Sequence, residues 1–172
     1  NDLGMKGVVL GTNIDGKHLH LEEFWPFYEE VDKLGLPIFL HPIRLRDFPD
    51  YKSEKESKYR TWHTFGWPYS TSITLTRLVF SGMLEKYPKL KIVGHHNAGF
   101  ISFLHSRIRE EGYGLERMTI ERPEFAALTK DPLDYFREQI YTDCEIRSVA
   151  ALMCTYEFFG AGHMLFGSGM PH

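Results

Sequence analysis

Cysteine is nearly missing from this chain: of 172 residues only Cys144 and Cys154 carry a thiol. Two thiols cannot staple a small secreted fold, and their scarcity suits a reducing, cytoplasmic setting. Long apolar runs are missing too. None approaches the roughly 20 residues a membrane-spanning helix requires, so no membrane partner is expected. Nor is there an excess of charge. Twenty basic and 23 acidic residues leave a net charge of −3, which gives a nucleic acid no electrostatic footing. The opening NDLGMKGVVL lacks signal-peptide architecture. Internal repeats and low-complexity tracts are not found. No glycine-rich phosphate loop follows the first apolar segment, which argues against an open dinucleotide-binding sheet.

What is present is a 42% hydrophobic, 15% aromatic chain, enough for one packed core. Short apolar strands are expected at Gly7–Thr12, Pro37–His41, Leu90–Gly94, Gln139–Asp143 and Met164–Gly167, each bounded by turn residues. Apolar spacing predicts helices over Leu21–Leu34, with Gly35 as the stop, over Thr71–Tyr87, over Phe100–Glu111 and over Ser148–Phe159, and another begins at Asp131–Arg137. The stretch Gly112–Lys130 reads as irregular or partly helical. Five strands alternating with helices predict an α/β fold with a parallel sheet and right-handed crossovers. A closed eight-stranded barrel takes about 250 residues. The chain is therefore expected to be a partial (β/α)8 TIM barrel, residues 1–172 holding about its last five strand–helix units. Residues 42–70 are long for a connection and form the expected active-site loop.

In such a barrel the strand tips deliver the chemistry. His41 ends the run IFLH and is a candidate metal ligand, the bland alternative being a hydrogen-bonded histidine ordered by Pro42. His95 and His96 follow KIVG, and alternation on an extended chain turns them to opposite faces. His96, nearer the tip and followed by the small Asn97-Ala98-Gly99, is taken as the catalytic member. Asp143 ends YTD and is placed with the catalytic residues, its alternative being a helix cap. Arg44 and Trp67, in or beside the long loop with Trp62 and Tyr69, are candidates for substrate binding, the guanidinium on a carboxylate and the indole as a pocket wall. His18 and His20 form a literal HxH, but in a polar turn, where a solvated or capping role is expected. His163 precedes the last strand and is expected at the far end of the barrel as a structural residue.

The run TRLVFSGMLEKYPKLKIVGHHNAG, with LGLPIFLHP, KDPLDYFR and FFGAGHMLFGSGMPH around it, resembles the amidohydrolase-2 group of metal-dependent hydrolases and decarboxylases. The resemblance implies a distorted barrel with one divalent metal, zinc or in some members manganese. It implies His41 as metal ligand and His96 as catalytic histidine, and a small-molecule substrate bearing a carboxylate or phenol. Non-oxidative decarboxylation or hydrolysis is the implied activity. The family's first-strand HxH has no counterpart, because the chain opens at about the fourth strand. The family's last-strand aspartate falls on Gly169, and a glutamate usual after the W-P step falls on Ser70. These departures keep open an alternative, a barrel scaffold that has lost its metal. An open part-barrel would also expose sheet edges, so a homo-oligomer is expected.

Overall fold

The computed structural model describes residues 3–113, 125–126, 128–146 and 148–167. Most of the expected irregular stretch 112–130, and Gly169, lie outside them. The sheet has five strands: β1 (Val8–Gly11), β4 (Pro37–His41), β5 (Lys91–Gly94), β6 (Ile140–Asp143) and β7 (Met164–Leu165). They pair in that spatial order, every pair parallel. The strands β2 (Asn13–Ile14) and β3 (Lys17–His18) form a small separate hairpin.

Two-residue alternation sorts the side chains. Ile38, Leu40, Ile92, Ile140 and Thr142 turn to one face and are buried there with Leu75, Leu78, Val79, Met83, Leu84, Tyr135 and Phe136. On the other face the register aligns Val9, Phe39, Val93 and Tyr141. Val9 is 72% and Phe39 42% exposed, so this second face is apolar yet half open. The helix-covered face holds the stability. Ile92 is 1% exposed and sits in that core. Ile92→Val is therefore expected to cost about 0.5–1.5 kcal/mol, read as a lower urea midpoint at unchanged slope.

Helices follow the expected order with shifted ends. The first, α1 (Trp25–Leu34), is preceded by a 3-10 turn at Glu22–Phe24 and carries Pro26 in its first turn, where a missing N–H costs nothing. Gly35 closes it in a left-handed conformation, as expected. A single turn, α2 (Thr61–Thr64), leads into α3 (Gly66–Phe80). Residues 66–70 of the expected loop are thus the start of a helix, and Pro68 sits near its opening. The single helix expected over Thr71–Tyr87 is instead two. Ser81 Oγ donates to the Leu78 carbonyl (3.2 Å), the chain turns at Gly82, and α4 (Met83–Lys86) follows. Beyond β5 come α5 (Ile101–Tyr113), α6 (Pro132–Gln139) and α7 (Val149–Phe159). Asp131 caps α6 by accepting from the Leu133 N–H, and Ser148 caps α7 by accepting from that of Ala151. Among the described residues no helix is long and apolar enough to cross a membrane.

Candidate active site

All five strands point their carboxyl ends the same way, which brings His41, the His95–His96 pair and Asp143 to one end of the sheet. The imidazoles gather there. Ring centroids of His41 and His95 are 5.2 Å apart, of His41 and His96 6.1 Å, and of His95 and His96 4.0 Å.

The expectation that the paired histidines face opposite ways is overturned. The strand ends at Gly94, and the backbone then runs through left-handed values at His96 (φ 54), Asn97 (φ 56) and Ala98 (φ 56). Alternation holds only for extended chain, so both rings swing into the same cluster. Trp67, in the first turn of α3, packs on it, its ring 5.4 Å from that of His41 and 5.5 Å from that of His96. His63, which the sequence pattern did not single out, lies 4.1 Å from the Trp67 ring. The spacing of His63 and Trp67, four residues apart, is the signal that could have paired them.

Hydrogen bonds give each group a distinct state. The Nδ1 of His41 lies 2.9 Å from the Pro42 carbonyl. A carbonyl only accepts, so Nδ1 carries the proton in this bond. His95 is bonded through Nδ1 to Asp143 Oδ2. The other carboxylate oxygen, Oδ1, accepts from the backbone N–H of Asn97 (3.1 Å) and of Glu145 (3.3 Å). Burial pushes the Asp143 carboxyl up, but the bond and charge of His95 and these two N–H groups outweigh it and hold its pKa below the ordinary value. Burial likewise pulls His95 down. The bond and charge of Asp143, with Glu145 beyond, more than offset this and leave His95 raised. His96 goes the other way: burial, then the neighbouring His95, push it to about 4. Its Nδ1 is buried without a hydrogen-bond partner among the described residues, and its Nε2 is 3.8 Å from Glu145 Oε2. Of the two, His95 is thus the imidazole whose protonated form the site favours, and His96 is uncharged at neutral pH.

A cavity of about 470 Å³ opens beside this cluster, lined by His41, His95 and Asp143 with Val9, Phe39, Val93, Leu165 and Phe166. Gly167 closes it: a Cβ there would come within 2.9 Å of the Asp143 Cβ, so only glycine lets the chain after β7 pass so close. Arg44 sits in the loop, its side chain 16% exposed. Its guanidinium is 4.4 Å from the Phe48 ring and 3.7 Å from Asp50 Oδ1, its Nε has no hydrogen-bond partner among the described residues, and its carbonyl accepts from the Trp67 indole. His18 is exposed and its ring stacks on that of His20. His163 stacks on Tyr141 and donates to the Ile140 carbonyl at the amino end of β6 (2.8 Å), the far-end structural place expected of it. Among the described residues no group of three or more His, Cys, Asp or Glu is arranged to hold a metal ion. A catalytic zinc takes about three protein ligands. His41 can offer one, so the described residues do not by themselves fit a metal centre.

A family model described as Amidohydrolase matches residues 1–172. The chain is 26% identical over 172 residues to 2-amino-3-carboxymuconate-6-semialdehyde decarboxylase of Dictyostelium discoideum, covering 99% of this chain and 44% of that protein. It is 28% identical over 180 residues to gamma-resorcylate decarboxylase of Polaromonas sp. (strain JS666), covering 99% and 52%. The chain spans about half the length of the curated relatives it matches. Among solved structures, a 5-carboxyvanillate decarboxylase from Novosphingobium aromaticivorans, complexed with manganese and 4-hydroxy-3-methoxy-5-nitrobenzoic acid, superposes with a TM-score of 0.85 at 20% identity. That match covers 99% of this chain and 48% of the other. The parallel α/β fold therefore matches TIM-barrel decarboxylases over about half their length.

Proposed function

The chain belongs to the amidohydrolase family, and from that membership we propose that it carries the proton-handling residues of a non-oxidative decarboxylase for a small aromatic carboxylate. The observation behind the proposal is the His95–Asp143 pair beside His41 at the mouth of the cavity. Two decarboxylases among the relatives, at 26% and 28% identity, supply the reaction class.

Loss of carbon dioxide breaks the bond between the ring carbon and the carboxyl carbon and leaves the electron pair on the ring. That carbon must then take a proton. His95 is the group suited to give it. Asp143 holds its Nδ1 and favours the imidazolium, which leaves Nε2 as the donating nitrogen. After the transfer, neutral His95 regains its proton from solvent. His96, uncharged, serves as a hydrogen-bonding partner rather than as the proton reservoir. Trp67, packed on the His41 and His96 rings, is proposed as an aromatic contact for the substrate, and the Arg44 guanidinium as the partner of its carboxylate, although neither lines the cavity. A volume of about 470 Å³ suits a single substituted ring. The family's divalent metal, zinc or the manganese bound by the fold neighbour, would use His41. No step is assigned to it, because the described residues do not complete its ligand set.

The test is turnover in deuterium oxide with 2,6-dihydroxybenzoate and related hydroxybenzoates. Each carbon dioxide released should leave one deuterium on the vacated ring carbon, seen by mass spectrometry and proton NMR. Products of hydrolysis with no carbon dioxide would overturn the reading.

A further inference from the structure

Asn97 is only 2% exposed and lies in the left-handed turn that carries both site histidines. Asparagine tolerates that conformation better than most residues, but the turn alone would be served as well by glycine. The side chain has other work. Its Oδ1 accepts from the backbone N–H of Ile146 (3.1 Å), and its Nδ2 donates to Thr155 Oγ1 (3.2 Å). Thr155 in turn donates to the Ala151 carbonyl (2.9 Å). One carboxamide therefore ties the turn after β5 to the segment after β6 and to α7.

That bridge bears on the pair at the site. Asp143 presents Oδ2 to His95 because Oδ1 is occupied by two backbone donors, Asn97 N–H and Glu145 N–H. The first belongs to Asn97 itself. The second belongs to the residue next to Ile146, which the Asn97 side chain grips. Both donors that orient the carboxylate are thus set by the same side chain. We infer that Asn97 is the positioning residue of the His95–Asp143 pair, acting on His95 through Asp143. The inference rests on the proton-handling role proposed for His95, but its test does not depend on activity.

The experiment uses the full chain labelled with 15N-histidine. A His95 Nδ1–H bonded to a carboxylate gives a downfield, slowly exchanging proton signal. The His163 Nδ1–H, bonded to the Ile140 carbonyl, serves as an internal reference. Asn97→Gly keeps a residue suited to the left-handed backbone and removes both side-chain bonds. The His95 proton should then exchange at least about 10-fold faster while that of His163 is unchanged. Thr155→Val removes one of the two bonds and should give a smaller acceleration of the same proton. An unmoved His95 signal in Asn97→Gly, its absence from the parent chain, or equal acceleration of the His163 proton would each overturn the inference. If the parent chain shows no decarboxylation yet Asn97→Gly frees the His95 proton, the positioning role stands and the functional reading falls. Decarboxylation with a His95 proton indifferent to Asn97 would keep the functional reading and overturn the positioning role.

Discussion

Replacing His95 by Asn is expected to lower kcat by about 10²–10⁴-fold, the usual worth of a positioned general acid. Asparagine can keep a hydrogen bond to Asp143 through its Nδ2, so the turn stays anchored, but it cannot carry a transferable proton. The same change at His96 is expected to cost less than about 10-fold, since an imidazole pushed to about 4 has no proton to give at neutral pH. The two variants differ by one position in the chain and make opposite demands on the site. Comparing kcat for both on the same hydroxybenzoate decides between them. A larger loss at His96 would return the catalytic role to the residue that the sequence alone favoured.

The structure overturns only the expected opposite facing of the two rings, and the reason is physical. Strand and helix existence were legible because the apolar spacing of PIFLH, KIVG and IYTD is local, as is the stop at Gly35. The strand-end places of His41 and Asp143 were legible for the same reason. The turn that brings His95 and His96 into one cluster was not. Three consecutive non-glycine residues with positive φ are not a local preference, and besides the Gly99 N–H to His96 carbonyl bond, tertiary bonds help hold them there: Asn97 to Asp143, Ile146 and Thr155, and the Phe100 N–H to Ser72 Oγ (2.7 Å). His63 was hidden differently. It lies 22 residues beyond His41, past a charged loop whose fold depends on Asp50 accepting from Ser57 and Thr61. No periodic pattern reports such a return. Helix ends were misjudged where a single residue decided them, as at Pro26 and Gly82.

Removing the carboxylate of Asp143 should be the most destabilising change at the site. The residue is 6% exposed and accepts from His95 Nδ1, Asn97 N–H and Glu145 N–H. Asp143→Ala leaves these donors without that acceptor and takes from the half-buried His95 the partner that raises it, a loss of about 3–5 kcal/mol. For a domain of this size that is a fall in Tm of roughly 6–20 °C. The pH dependence separates the two halves of the pair. Because the folded pKa of Asp143 is depressed, its contribution is present above the unfolded value of about 3.9 and is lost as the pH falls through the folded one. Because that of His95 is raised, its contribution is full below about 6.5 and is lost as the pH rises through the folded value. The Tm difference between the parent chain and Asp143→Ala should therefore be greatest between about pH 4 and 6.5 and narrow on both sides. As the pH rises through the folded value of His95 the ring becomes neutral yet stays bonded, so a residual difference remains, whereas in acid the carboxyl is protonated and the difference shrinks further. A pH-independent gap would mean that Asp143 acts only as a cap on the backbone, and that its partnership with His95 contributes nothing to the fold.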